Sequence, residues 1–375
     1  MWVVVVAVAL LVQGCRVRDG ETVPPRSAAS GGGALAATAA PQSTTVAGSG
    51  SAAAAATPLA AGQDRGIAPT TAPAAATPAS PLAAIVPAPL AAATPTPGIS
   101  TVFIILMENH NWSAIKGNAR APYINNTLLP MASHAEQYFN PPGNHPSLPN
   151  YLWLEGGTNF GVHEDGDPSA FHQSTTDHLV TRLDKAGVTW KAYQEDISGT
   201  DCPLTTSHSY AARHDPMLYF DDVTEKNNAH SAYCISHIRP YGELAADLQT
   251  NKTAQYNFIT PNLCHDMHNY CAPTLDQTRQ GDNWLAAEVP HILNSAAYKN
   301  GGVLFITWDE GQGSDGPIGM LVLSPFAKGH GYSNTIHYTH SSTLRTIQEI
   351  FKVQPFVGDA ANATDLGDLF AIPLH

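Results

Sequence analysis

Aromatic residues are missing from the first quarter of this chain: between Val3 and Val102 there is no Phe, Tyr or Trp. Ala, Pro, Thr, Ser and Gly fill the stretch instead. Such a segment cannot bury enough apolar surface to offset the entropy of ordering its backbone. Residues 16–98 therefore read as a linker, extended and semi-rigid where Ala, Pro and Thr alternate, as at Ala92–Pro97. A short helix through Ala52–Ala56 is the alternative there. Basic charge is the second shortage. Four of the 18 Lys+Arg and three of the 31 Asp+Glu precede residue 99, leaving 14 and 28 and a formal charge of −14 for residues 99–375. That balance excludes nucleic acid as an expected partner. It does not exclude a small phosphate ester, because a pocket's field is set by local dipoles and bound cations.

Long apolar runs are also lacking near the start. Val3–Val12 is continuous but too short to span a bilayer, and suits a signal-peptide core over residues 1–15. The small residue in Gln13-Gly14-Cys15 resembles a bacterial lipobox, which would make a lipidated Cys15 the membrane tether of an exported protein. Plain secretion is the alternative. Cysteine is scarce: beyond Cys15 there are only Cys202, Cys234, Cys264 and Cys271. An even count in an exported chain suggests two disulfides, with three possible connectivities. Cys202–Cys234 with Cys264–Cys271 is favoured, the latter closing a short loop. A Cys/His zinc site is the competing reading, although the spacings match no familiar pattern.

Residues 99–375 have the composition of one sizeable domain. Thr101–Met107, Glu136–Phe139, Val188–Tyr193, Gln255–Thr260, Val303–Trp308 and Met320–Ser324 read as strands. Tyr123–Ala135, Leu148–Glu155, Thr176–Ala186, Leu244–Gln249, Asp282–Ser295 (interrupted near Pro290) and Ser342–Phe351 read as helices. The alternation predicts an α/β fold, a central mostly parallel sheet with helices on both faces. Residues 198–236 have little periodicity and read as an excursion walling a pocket.

Three pieces put oxygen ligands or a hydroxyl where a strand or turn gives way to a loop: Met107-Glu108-Asn109-His110, His145-Pro146-Ser147-Leu148-Pro149-Asn150-Tyr151, and Thr307-Trp308-Asp309-Glu310-Gly311. Sites in open α/β sheets form at such strand ends. Paired oxygen ligands suit a hard divalent cation, and a serine at a helix start either caps the helix or attacks phosphorus. Cys264-His265-Asp266-Met267-His268-Asn269 adds groups able to bind phosphate, protonate a leaving group or hold metal. One of His337 and His340 is expected to reach the pocket; His110, His163, His172, His208, His214 and His230 are expected on surfaces or loops.

These blocks, with Ser342-Thr343-Leu344-Arg345-Thr346-Ile347, stand in an order that resembles the phosphoesterase family of bacterial and fungal acid phosphatases and phospholipase C-type enzymes. That family is a branch of the alkaline phosphatase superfamily, and the resemblance runs from about Thr101 to Phe351. It implies one divalent cation held by Glu108, Asn109, Asp309 and Glu310, with Ser147 as nucleophile and fifth ligand. It also implies that His265, His268 and His340 face the phosphate or leaving group; His145, Asn150 and Asp266 are taken as substrate-binding. Asn269 replaces a commonly acidic residue. The expected function is exported acid phosphatase-like hydrolysis of small phosphomonoesters through a phosphoryl-serine. The shortness of the chain beside the larger phospholipase members favours that over diester or phospholipid cleavage, the alternative. A non-catalytic binding lipoprotein is the third reading.

Overall fold

A computed structural model describes residues 98–374. The expected signal peptide, the lipobox Cys15 and the linker up to residue 97 lie outside the described residues. Ten strands are assigned in chain order: β1 Thr101–Met107, β2 Ser133–Ala135, β3 Tyr138–Phe139, β4 Trp190–Gln194, β5 Ile238–Pro240, β6 Tyr256–Thr260, β7 Gly302–Trp308, β8 Met320–Leu323, β9 Ser333–Asn334 and β10 Tyr338–Thr339. Eight form one sheet in the order β5-β4-β6-β1-β7-β8-β2-β9, while β10 and β3 pair separately. The pairs from β5 through β7 are parallel, β8 runs antiparallel to both its neighbours, and β9 is parallel to β2. This is the expected α/β, mostly parallel sheet flanked by helices.

The centre of the sheet is buried on both faces. Every residue of β6 and β7, and all of β1 except Thr101, is buried, which is why β1 and β7 read as apolar runs. The register then does the positioning. Met107 pairs with Trp308, so the chain leaves β1 and β7 side by side with Glu108 and Asp309 as the next residues. The Asp309 N–H donates to the Met107 carbonyl at 2.9 Å, and the Glu108 N–H to the Asp266 carbonyl at 2.7 Å, which draws the loop after β6 into the same place.

Four helices matter for the site: α1 Ser147–Gly156, α2 Leu179–Lys185, α3 Gln277–Asn294 and α4 His340–Ile350. Three helix expectations change, the third being the start of α2. Tyr123–Ala135 is not one helix but a π-helical turn at Ile124–Leu128, a short turn at Leu129–Met131 and then β2. Pro130 lacks an N–H and sits at a helix start, and the following residues gain sheet partners in β8 and β9. The helix expected to break near Pro290 runs unbroken, and begins earlier because Asp276 accepts the Arg279 N–H at 2.9 Å. Pro290 frees the carbonyl of Ala286, which is exposed and open to water. Both favoured disulfides are present, Cys202–Cys234 and Cys264–Cys271, and the zinc reading of the cysteines falls with them.

Helix α2 starts at Leu179 rather than Thr176 because His178 is held outside it. His178 is fully buried between Glu155 (Nδ1–Oε1 2.8 Å) and Asp222 (Nε2–Oδ1 3.0 Å) and stacks on Phe220 at 3.8 Å. Burial opposes its charge, but the two carboxylates outweigh burial and raise its pKa to about 9. A raised pKa contributes stability that is complete below the unfolded value of about 6.5 and is lost as pH rises through about 9. Thermal unfolding followed from pH 6.5 to 9.5 should show wild type losing on the order of 3 kcal/mol of this contribution. H178Q should be less stable at pH 6.5 and lack that decline.

Candidate active site

The site is built on the ends of the three central strands and on the first residue of α1. Ser147 follows Pro146, whose side chain offers no cap, and the Ser147 hydroxyl does not cap the helix either. Instead Oγ donates to Glu108 Oε2 at 3.0 Å and lies 3.5 Å from the side-chain oxygen of Asn109. The Asn109 N–H donates to Asp309 Oδ1 at 2.9 Å, from a left-handed backbone (φ 38°) that asparagine tolerates. With its amide oxygen inward, Asn109 adds a further oxygen to a cluster that holds Glu108, Asp309 and Ser147. With its nitrogen inward, it donates to Glu108 Oε2 at 2.6 Å and Asp309 Oδ1 at 3.2 Å.

The other oxygen of Glu108 faces a second group. Tyr151, one turn along α1, donates its hydroxyl to Oε1 at 2.6 Å, and its ring stacks on His214 at 4.9 Å. His214 Nε2 lies 3.2 Å from Glu108 Oε1 and Nδ1 3.4 Å from Asp266 Oδ2. Atoms of Glu108, His214 and Asp266 all fall within 4.8 Å of one another. Burial drives the His214 pKa well down, so the ring is neutral and carries one N–H for two carboxylates.

The cluster is short of positive charge. Burial is the first cause raising Glu108, Asp266 and Asp309 well above the carboxylate range, and mutual repulsion adds to it. Buried Asp309 Oδ2, Asp266 Oδ2 and His214 Nε2 have no hydrogen-bond partner. Orphaned buried polar atoms in a carboxylate cluster are what a divalent cation satisfies, and the oxygen-rich set with one imidazole suits a hard or borderline ion. The residues present therefore fit the cation expected from the sequence. Glu108, His214 and Asp266 would hold such an ion, and Asn109 and Asp309 lie beside Ser147 and Glu108.

The other expected site residues divide. His268 is in the site: its N–H donates to Asp266 Oδ1 at 2.7 Å, its ring lies 6.0 Å from His214, and Nε2 accepts from Arg213 Nη2 at 3.4 Å. Asp266, expected at a substrate-binding position, lies within the Glu108–His214–Asp266 cluster. Glu310 is beside the cluster but engaged by His145 Nδ1 at 2.5 Å and Asn150 Nδ2 at 3.1 Å; burial pushes its pKa up to about 7 against the pull of His145. His145 thus bridges Glu310 and Asp315. Asn150 is fully buried, with its amide spent on Asn144, Pro146 and Glu310, so it shapes the turn instead of meeting substrate. His340 is fully buried too. Nε2 bonds the Asp309 carbonyl at 2.6 Å, Nδ1 bonds Tyr138, and burial lowers its pKa to about 4. It orients the Asp309 backbone and has no nitrogen left for a leaving group. His265 turns to Glu195 at 2.8 Å and lines a separate cavity of about 460 Å³ with Trp284 and the Cys264–Cys271 bridge.

Two expected surface histidines are buried. His110 bonds the Glu108 carbonyl at 2.9 Å, and His214 is at the centre of the donor set. With Arg213 and Tyr151, His214 was hidden from sequence reasoning. The available signal was its place just before Asp215-Pro216 and the wholly buried run Met217–Phe220.

The catalytic loop is braced from behind. Met267, buried at φ 82°, packs onto Gly281 of α3, where a β-carbon would meet Met267 Cγ at 2.3 Å and Met107 Cε at 2.9 Å. G281A should displace the Asp266–His268 turn. Steady-state kinetics should show kcat/KM down about 100-fold, the cost of a misplacement near 1 Å, with the domain still folded.

A model of the phosphoesterase family matches residues 131–354. Phosphatidylinositol-3-phosphatase of Mycobacterium tuberculosis is 30% identical over 276 residues, 73% of this chain and 84% of that protein. Phosphate-repressible acid phosphatase of Penicillium chrysogenum is 26% identical over 54% of this chain, but the match spans only 48% of the fungal protein. An alkaline phosphatase superfamily protein from Vibrio parahaemolyticus superposes with a TM-score of 0.46 and 9% identity over 72% of either chain, too loose a match to carry an argument. On the family model and the mycobacterial relative, the expected class, a hydrolase of phosphoric esters, stands, and the chain belongs to the phosphoesterase family.

Proposed function

We propose that this chain is an exported phosphomonoesterase that transfers the phosphoryl group first to Ser147 and then to water. The observation that carries the reading is Ser147 Oγ on the first residue of α1, 3.0 Å from a buried carboxylate in a cation-fitting cluster. Glu108 Oε2 accepts the hydroxyl hydrogen bond and so aims an oxygen lone pair outward. The start of α1 directs its N–H groups and positive dipole end towards an anion beside Ser147. A divalent cation, when bound, would acidify the hydroxyl and polarise the phosphoryl oxygen. Ser147 Oγ gives up its proton to solvent and bonds to phosphorus as the ester P–O bond breaks, and the alcohol oxygen leaves with that electron pair and takes a proton from water. Water then cleaves the phosphoryl-serine and Ser147 recovers its proton.

Export is supported by the two disulfides, which persist in oxidising compartments. Among the described residues no helix is long and apolar enough to cross a membrane. A phosphorylated lipid headgroup belongs to the monoester class, and the mycobacterial relative is named for one; a tether at Cys15 would hold the domain near such a substrate. Phosphodiester or phospholipase C action is the second reading, favoured by that same tether. Hydrolysis of paired chromogenic mono- and diesters, after chelation and again with each divalent cation restored, separates them. Cation-dependent monoester cleavage is expected. Diester cleavage as the dominant activity would replace the reading.

A further inference from the structure

The nucleophile's helix already holds an anion. Asp165 Oδ1 accepts the Leu148 N–H, the amide next to Ser147, at 3.0 Å. Its other oxygen lies 3.3 Å from Arg213 Nε. Arg213 adjoins His214, reaches His268 with Nη2 at 3.4 Å, and has a buried Nε with no hydrogen bond of its own. Its charge also acts on Glu108 and Asp266. One carboxylate therefore spans an α1 amide and a guanidinium beside the attacking hydroxyl. Two oxygens of a phosphoryl group would present the same acceptors to the same donors.

We propose that Asp165 is a displaceable stand-in for the substrate's phosphoryl group, and that Arg213 and the Leu148 N–H are the donors the phosphoryl group takes over from it. The inference rests on the phosphomonoesterase reading and adds a phosphate-positioning residue, Arg213, and an internal competitor, Asp165. Burial says which partner leaves. The Arg213 side chain is 16% exposed, whereas that of Asp165 is 36% exposed in the stretch His163–Asp165. No lid has to open. The chain is pinned just beyond, where Gly166 accepts the Tyr219 hydroxyl and Asp167 accepts Thr206, so displacement is a rotation of one side chain. A doubly charged phosphomonoester exchanges for a singly charged carboxylate at a cationic position, which favours the substrate. While Asp165 occupies the donors, apparent affinity falls by the fraction of molecules in which they are free.

The plain alternative is that Asp165 is a helix cap with a surface ion pair. D165N distinguishes the two, because asparagine keeps an oxygen for the Leu148 N–H and loses the charge that holds Arg213. The test uses the full chain loaded with cation, with inorganic phosphate as the calorimetric probe and a chromogenic monoester for kinetics. For D165N, phosphate Kd and KM should fall together by about two- to fivefold, the size of a partly exposed ion pair released. R213Q should raise both, and D165N should bring no gain in the R213Q background. Phosphate affinity unchanged or weaker in D165N overturns the proposal and leaves Asp165 a cap. Tighter phosphate binding in D165N, with no ester hydrolysed by wild type, would sustain this inference while ending the phosphomonoesterase reading.

Discussion

S147A should lose at least about 10⁴-fold in kcat/KM towards a phosphomonoester, the scale seen when an enzyme's nucleophile is removed. The substitution should leave the fold intact. Ser147 does not cap α1 with its side chain, and its one strong contact is the hydrogen bond to Glu108. Around it, Leu148, Tyr151 and Leu152 are fully buried, and the Trp153 indole bonds Ser341 of α4 at 2.7 Å, so the helix is anchored by packing. Circular dichroism and thermal unfolding separate a lost nucleophile from a lost fold. A variant that folds and keeps more than a tenth of wild-type turnover rules Ser147 out as nucleophile.

Stripping divalent cations should abolish turnover and lower the unfolding temperature by about 10 °C, if cation at roughly 1,000 times its Kd contributes about 4 kcal/mol to a domain of this size. The loss should grow with pH. Glu108, Asp266 and Asp309 are all raised by burial and by one another. A carboxylate raised on folding prefers its proton in the folded state. Its contribution is present at low pH and is lost as pH rises from the unfolded value through the folded one. The stripped protein must then bear ionised, unpaired carboxylates, while the loaded protein gains because ligands must be deprotonated to bind. Thermal unfolding with and without chelator, from pH 5 to 8, should show a widening gap. A constant or narrowing gap contradicts the cluster as the cation site.

Much of this was legible in the chain because the central strands are buried on both faces. β1 and β7 stand out as apolar runs that end on Glu108-Asn109 and Asp309-Glu310, and neighbouring strand ends meet by register. Ser147 was legible from its place between Pro146 and Pro149 ahead of an apolar helix. What was hidden depends on contacts that no local pattern encodes. His214 reaches Glu108 from a segment without periodicity, across a fold closed by Cys202–Cys234. His340 and Asn150 carry groups able to bind substrate, yet burial spends those groups on Asp309, Tyr138, Asn144 and Glu310. Burial works in both directions: it sets His214 beside Glu108 and engages both nitrogens of His340 inside the fold.

The central claim, a phosphoryl group carried by Ser147, is tested most directly by acid-quenching the cation-loaded enzyme during turnover of a phosphomonoester and mapping its peptides by mass. The account predicts one added phosphoryl group on the peptide bearing Ser147, absent from S147A. A phosphoryl group found on a histidine peptide instead, with Ser147 unmodified, would contradict it.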